Sequence, residues 1–234
     1  MKKRIEKKHR HIDSMFAIGV IFITSFVVGL LVWLGNKDYQ ASENQYLTTF
    51  PMNNKPEISS SSIVFLGDSI TAQGNWNALF GMPLAVNAGI PGNTTDDILA
   101  RLDQITNAKP KKIFLMIGVN DFLRGKDVLY VLKNYKEIIS QIKEKSPATV
   151  IYMQSVLPIN NDLSRIGTID ASKIVMLNAQ IKSLSNGKNI FFIDLHDSFC
   201  GDDQKLYTKY TIDGVHLSVA AYNLWKESLV SYVK

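Results

Sequence analysis

The chain has 234 residues, 46% hydrophobic and 20% charged, which suits one medium-sized globular domain with an appendage and excludes a disordered or collagen-like chain. The net charge of +5 is concentrated at one end: residues 1–14 hold six Lys/Arg against two acids, and the rest of the chain holds twenty against nineteen. No basic stripe with interleaved aromatics follows residue 14, so nucleic acid is not an expected partner; the single cysteine, Cys200, excludes an intrachain disulfide and reads as a small buried hydrophobe.

Residues 1–14 form a basic tail. Met15 to Leu34 is then an unbroken run of twenty uncharged residues, with Thr24 and Ser25 its only polar side chains. As a helix it would span about 30 Å, the hydrocarbon thickness of a bilayer. Trp33 lies where an interfacial aromatic belongs. A cleaved signal peptide would have a shorter apolar core and a small-residue cleavage site, and Val32-Trp33-Leu34-Gly35-Asn36 offers none. The segment 15–35 is therefore expected to be an uncleaved transmembrane anchor. Lys2, Lys3, Arg4, Lys7, Lys8 and Arg10 precede it and only Lys37 closely follows. The positive-inside rule then keeps the N-terminus cytoplasmic and sends the remainder out of the cell. Residues 36–57, polar and carrying Pro51 and Pro56, read as a linker.

From residue 58 to 234 the pattern alternates strand and helix. Ile63–Leu66, Lys112–Ile117, Thr149–Ser155 and Asn189–Asp194 are short apolar runs rich in β-branched and aromatic residues, as buried parallel strands require. Pro83 to Asn87 is a fifth candidate. Helical segments are expected at about 94–108, 127–146, 170–186 and 217–232. Thr94 or Thr95, followed by Asp96 and Asp97, makes a helix start; Pro110 and Pro147 mark helix ends. Such alternation predicts an α/β fold, a three-layer α/β/α sandwich around a mostly parallel five-stranded sheet with right-handed crossovers.

Two strings carry chemistry at opposite ends of this region. Gly67-Asp68-Ser69-Ile70 follows the first strand, placing Ser69 just past its carboxyl end, where open α/β sheets put their ligands. Asp213-Gly214-Val215-His216 lies near the end of the chain. A serine hydroxyl needs an adjacent imidazole to take its proton, and His216 can do so if the fold joins the two ends. Asp213, three residues earlier, can reach the far ring nitrogen and fix its tautomer. His9 and His11 precede the predicted anchor, and His196 reads as a structural or rim residue. Asp68 and Asp121 read as turn-stabilising acceptors. Trp76 and the loop Pro158–Thr168 are candidate walls of a substrate pocket. Too few histidines are clustered for a zinc or two-metal site, and Gly89-Ile90-Pro91-Gly92 lacks the lysine and length of a P-loop, so no metal or other cofactor is expected.

Two further strings complete a set: Asn87-Ala88-Gly89-Ile90-Pro91-Gly92-Asn93-Thr94 after the second strand and Gly118-Val119-Asn120-Asp121 after the third. Each string alone also reads as an ordinary turn. All four in this order resemble the SGNH/GDSL hydrolase superfamily, with its Gly-Asp-Ser, loop glycine, Gly-x-Asn-Asp and Asp-x-x-His pattern, over about residues 60–234. The resemblance implies a flavodoxin-like sandwich, a Ser69/Asp213/His216 site and no cofactor. It also implies an oxyanion hole from the backbone N–H groups of Ser69 and Gly92 and the side-chain amide of Asn120, with Gly89 the less favoured loop glycine. The expected activity is an extracytoplasmic, membrane-anchored serine esterase acting on acyl or acetyl esters of carbohydrate or lysophospholipid type. An O-acyltransferase working with a membrane acyl donor on a surface polysaccharide is the alternative. A non-enzymatic surface-binding module is a third reading, against which the complete residue set argues.

Overall fold

A computed structural model describes residues 57–234. The basic tail, the expected anchor 15–35 and the linker up to residue 56 lie outside the described residues. Among the described residues no helix is long and apolar enough to cross a membrane.

Five strands form from the apolar runs: β1 (Ile63–Gly67), β2 (Ala85–Gly89), β3 (Lys112–Met116), β4 (Val150–Gln154) and β5 (Ile190–Ile193). They pair in the order β2-β1-β3-β4-β5, and every pairing is parallel. The mostly parallel sheet expected from the sequence is thus wholly parallel in the described residues. Between strands run α1 (Ser69–Ala72), α2 (Trp76–Phe80), α3 (Thr95–Thr106), α4 (Val119–Leu123), α5 (Val128–Lys145), α6 (Ala171–Lys182), α7 (His196–Phe199) and α8 (Val219–Val233). The long helices fall where hydrophobic spacing puts them. The short ones, α1, α2, α4 and α7, are one-turn pieces too brief for a periodic signal.

In-register pairing aligns one side chain from each of four strands. Phe65, Phe114, Tyr152 and Phe191 are consecutive cross-strand partners, and their rings stack at centroid separations of 5.0, 4.7 and 5.4 Å. Helices α2 and α8 cover this aromatic row: Trp76 stacks on Phe65 at 4.1 Å, Trp225 meets Trp76 edge-on at 4.9 Å, and Tyr232 meets Tyr152 edge-on at 5.6 Å. The alternate strand residues Val64, Leu66, Ile113, Leu115, Ile151 and Met153 are fully buried; strand alternation turns them to the opposite face, which α3, α5 and α6 cover. Three layers result because both sheet faces are apolar and each needs a helical cover.

Helix ends are set by their caps. Thr94 accepts from the Asp97 N–H while the Asp97 carboxylate accepts from the Thr94 N–H, a reciprocal capping box that starts α3. Asp127, Asp170 and Ser218 cap α5, α6 and α8 in the same position.

Trp76 corrects one expectation. It is not a pocket wall: it is 1% exposed, and its indole N–H donates to the Thr71 carbonyl at 3.0 Å, packing beneath α1. Trp76→Ala should therefore lower the urea-unfolding free energy by about 3–5 kcal/mol. Leu129→Ala, at a side chain 73% exposed, should change it by less than about 0.5 kcal/mol. Equal effects from the two would contradict this packing.

Candidate active site

The strand order decides what meets at the carboxyl edge of the sheet. Strand β1 sits between β2 and β3, so the segment after β1 is flanked by the loops after both. The chain leaves β1 toward β2 and later crosses back to β3, which makes this edge a topological switch point. Ser69 opens α1 directly after β1. Asn87 to Asn93 follows on one side, and Gly118 to Asp121 on the other. The turn into α1 is tight: a Cβ on Gly67 would collide with the Met116 carbonyl and the Thr71 side chain, and a Cβ on Gly89 with the Ala72 backbone.

The last helix brings the second half of the site. Helix α8 packs beside α2, and the Tyr222 hydroxyl donates to the Ile70 carbonyl at 2.7 Å, tying α8 to the helix that carries Ser69. The loop before α8 holds Asp213 and His216. Asp213 Oδ1 accepts the N–H groups of Val215 and His216 at 2.9 and 2.7 Å. Its Oδ2 lies 2.6 Å from His216 Nδ1. Because an ionised carboxylate only accepts, Nδ1 carries the proton and the Nε2 lone pair faces outward. That Nε2 lies 3.0 Å from Ser69 Oγ. The structure thus brings Ser69, His216 and Asp213 into one hydrogen-bonded line. The loop after β4 braces it from behind, with the Asn160 N–H donating to the Gly214 carbonyl at 2.7 Å.

Burial pushes the Asp213 carboxyl up, but the hydrogen bond and charge of His216 outweigh it and leave Asp213 at about 2. It is ionised across the whole neutral range. Asp68 behaves in the opposite way: it is 1% exposed, and burial raises it to about 7 against the opposing Ile70 N–H and the nearby His216. Its Oδ1 accepts that N–H at 2.9 Å. Asp121 is buried too, accepting from the Thr95 N–H at 3.0 Å and from the Thr95 hydroxyl at 2.5 Å. Both acids therefore hold turns, as the sequence suggests.

The three backbone and amide donors expected from the sequence lie on adjacent strand ends. As the first residue of α1, Ser69 has an N–H with no helical acceptor. The two loop glycines are distinguished by their bonding. Gly89 N–H donates to Asn87 Oδ1 at 2.9 Å, whereas Gly92 N–H bonds to no other group among the described residues. Gly92 has φ +75°, a conformation that only glycine adopts without strain. Asn120 Nδ2 donates one hydrogen to the Asn93 carbonyl at 2.9 Å, which fixes its amide orientation and leaves the second hydrogen available.

The structure keeps His196 out of this group. It is the buried first residue of α7, with its backbone N–H bonded to Ser155 Oγ at 2.9 Å and its Nδ1 3.2 Å from Asp197. A separate surface concavity borders it, lined also by Ser172, Met176, Asp194 and Gln204; none of Ser69, Gly92, Asn120 or His216 belongs to it. Among the described residues no cluster of His, Cys, Asp and Glu has metal-binding geometry. Cys200 is buried, and burial raises its thiol to about 11, which makes it inert at neutral pH. Arg101, which no sequence pattern singles out, also reaches this edge, its Nε donating to Asn93 Oδ1 at 2.8 Å. Its one available signal was position: Arg101 falls on the stripe of α3 that also carries Ile98 and Ile105.

Comparison with known proteins matches residues 65–224 to the profile of the GDSL-like Lipase/Acylhydrolase family. The chain belongs to that family, within the SGNH hydrolase superfamily, and is a carboxylic ester hydrolase. It is 26% identical over 166 residues to the platelet-activating factor acetylhydrolase IB subunit alpha2 of Gallus gallus, covering 68% of this chain and 70% of the relative. It is 33% identical over 116 residues to an arylesterase of Vibrio mimicus, covering 43% of this chain and 58% of the relative. A solved Streptococcus pneumonia structure, provisionally described as a platelet activating factor, superposes with TM-score 0.70 at 29% identity, covering 88% of this chain and 99% of that one.

The buried acid makes a pH prediction. Burial holds the Asp68 pKa at about 7, above the 3.8 of an ordinary aspartate, so between those pH values the folded protein holds a proton that the unfolded chain releases. Stability therefore falls as pH rises through this window and levels off above it. Asp68→Asn keeps the acceptor for Ile70 and has no charge to desolvate. Relative to wild type it should gain stability as pH is raised from about 4 to about 8, read from urea midpoints. Parallel pH profiles for the two proteins would contradict the assignment.

Proposed function

We propose that this protein is a membrane-anchored, extracytoplasmic serine esterase that hydrolyses short acyl esters, acetyl above all, on carbohydrate or lysophospholipid-type alcohols. The observation that carries the mechanism is the line from Asp213 through His216 to Ser69, with heavy-atom separations of 2.6 and 3.0 Å. A relative that is an acetylhydrolase supports a small acyl group. The apolar run 15–34 with its basic N-terminal flank supports the anchor and its orientation.

In the proposed cycle His216 Nε2 takes the Ser69 proton as Oγ attacks the ester carbonyl. The carbonyl oxygen becomes an oxyanion and accepts from the N–H groups of Ser69 and Gly92 and from Asn120 Nδ2. Asp213 stabilises the imidazolium that forms. The C–O bond to the alcohol breaks, and the alcohol leaves with the proton from His216. Water, deprotonated by the same imidazole, then attacks the acyl-serine and releases the carboxylic acid. Donors fixed on three adjacent strand ends need no reorganisation when the charge develops, which is why such sites outperform water. A sugar hydroxyl in place of that water would turn the same acyl-enzyme into a transferase.

Hydrolysis of nitrophenyl esters from acetyl to long acyl chains tests this reading. Wild type should turn over the acetyl ester best, and Ser69→Ala should be inactive at every length. Asn120→Ala should lower kcat by about 10²–10³ with KM little changed, because its donor acts on the transition state. Activity that rises with chain length would replace acetyl esters by lipid esters as the substrate class. Hydrolysis independent of Ser69 would overturn the mechanism, and acyl transfer to an oligosaccharide faster than hydrolysis would favour the transferase.

A further inference from the structure

The loop after β2 carries the Gly92 N–H, yet it is an exposed turn with few apolar anchors. Pro91 is exposed, Ile90 is 40% exposed, and Gly92 and Asn93 are half-buried. Packing alone does not hold such a loop to the tolerance that transition-state stabilisation demands. Its acceptors are held instead by three side chains, two from α4 and its C-cap and one from α3. Arg124 Nη2 donates to the Gly92 carbonyl at 2.8 Å. Asn120 Nδ2 donates to the Asn93 carbonyl at 2.9 Å. Arg101 Nε, from α3, donates to Asn93 Oδ1 at 2.8 Å.

Arg101 does more than hold one side chain. Its Nη2 donates to the Ala88 carbonyl at 2.8 Å and to the Gly67 carbonyl at 3.2 Å. Ala88 lies near the end of β2; Gly67 ends β1, two residues before Ser69. One planar group therefore spans the two strand ends that carry Ser69 and Gly92, and the loop between them. We propose that Arg101 is a positioning residue for the oxyanion hole, holding the Gly92 N–H in register with Ser69 through this clasp. The inference rests on the serine-esterase reading above.

The chemistry of the side chain supports the assignment. No carboxylate among the described residues lies within ion-pair distance of Arg101. Burial, only partly offset by Asp97, lowers its pKa to about 10, so it stays charged at neutral pH without a paired anion. A cation desolvated against neutral carbonyls is costly, and a purely structural link between α3 and β2 has no need of it. A guanidinium supplies coplanar donors in a rigid fork; lysine offers a single ammonium point, and methionine none. The unpaired positive charge also lies beside the segment where negative charge develops during acyl transfer.

The test uses the full-length chain and the variants Arg101→Met, Arg101→Lys and Asn93→Ala. Each is measured for kcat and KM on nitrophenyl acetate, and for the rate at which an alkyl fluorophosphonate labels Ser69. The phosphonyl oxygen occupies the same donor set, so labelling reads the oxyanion hole whatever the natural acceptor. In Arg101→Met both kcat and labelling rate should fall by about 10²-fold. KM should stay within about threefold of wild type, and the pH midpoint of kcat/KM should not move. Arg101→Lys should fall between. Should Arg101→Met fail to fold, Arg101→Lys and Asn93→Ala decide the matter, each expected to lose about tenfold in both rates. Wild-type kcat and labelling in a folded variant, or a loss expressed wholly as raised KM, would overturn the proposal. A wild type that Ser69-directed label does not modify and that does not hydrolyse the ester would remove the esterase reading and the proposal together. Active wild type with unaffected variants removes the proposal alone.

Discussion

The hydrogen bond between Ser69 Oγ and His216 Nε2 joins residues 147 positions apart, and much of the architecture serves to make that contact. Ser69 must follow a strand flanked on both sides at the carboxyl edge, and His216 must return from the far end of the chain. The first requirement is met by the strand order, which places β1 between β2 and β3. The second is met by α8, whose Trp225 packs on Trp76 and whose Tyr222 bonds to the Ile70 carbonyl. The aromatic row across four strands thus supports the site directly: Trp76 lies on Phe65 and under α1, and α8 lies on Trp76. Three-layer packing and the hydroxyl–imidazole distance are one problem in this molecule.

Electrostatics divides the acids around that contact by environment. Asp213 bonds three donors, two of them backbone N–H groups, and remains ionised far below neutrality. Asp68, one residue from Ser69, has a single backbone donor and is driven up by burial. Hydrogen bonds to the charged form and loss of water act in opposite directions: Asp213, half-buried with three donors, is held down, and Asp68, fully buried with one, is driven up. That contrast leaves one carboxylate charged beside the imidazole and suits Asp213, not Asp68, to orient it. Asp121 stands between the two, buried but satisfied by Thr95, and its work is to join α4 to the start of α3.

Much of this was legible in the sequence, for identifiable reasons. Parallel strands buried on both faces are continuous β-branched and aromatic runs, so β1, β3, β4 and β5 announced themselves, and β2 only partly because it ends in the small and polar residues Asn87-Ala88-Gly89. A threonine at 94 or 95 followed by Asp96 and Asp97 marked the start of α3, and the structure selects Thr94 with Asp97 as its capping box. The Asp213–His216 pair was readable because three residues of loop suffice for the contact. Trp76 was misjudged because a tryptophan after a strand end can face either the site or the core, and only the sheet register, which aligns Phe65 beneath it, decides. Gly92 was preferred over Gly89 on the family pattern alone; the bond from the Gly89 N–H to Asn87 Oδ1, invisible in a one-dimensional pattern, adds a physical reason. Arg101 escaped notice because its acceptors on Asn93, Ala88 and Gly67 lie 8, 13 and 34 positions away, and convergence of that kind exists only after folding.

Central to the account is a covalent step at Ser69. The most direct measurement is peptide mapping by mass spectrometry after acid quench of the full-length chain during turnover of nitrophenyl acetate. The account predicts an acetyl group on Ser69, absent from Ser69→Ala and formed far more slowly in His216→Ala. Sustained turnover with Ser69 never acetylated, or an acetyl group carried on another residue as the competent intermediate, would contradict it.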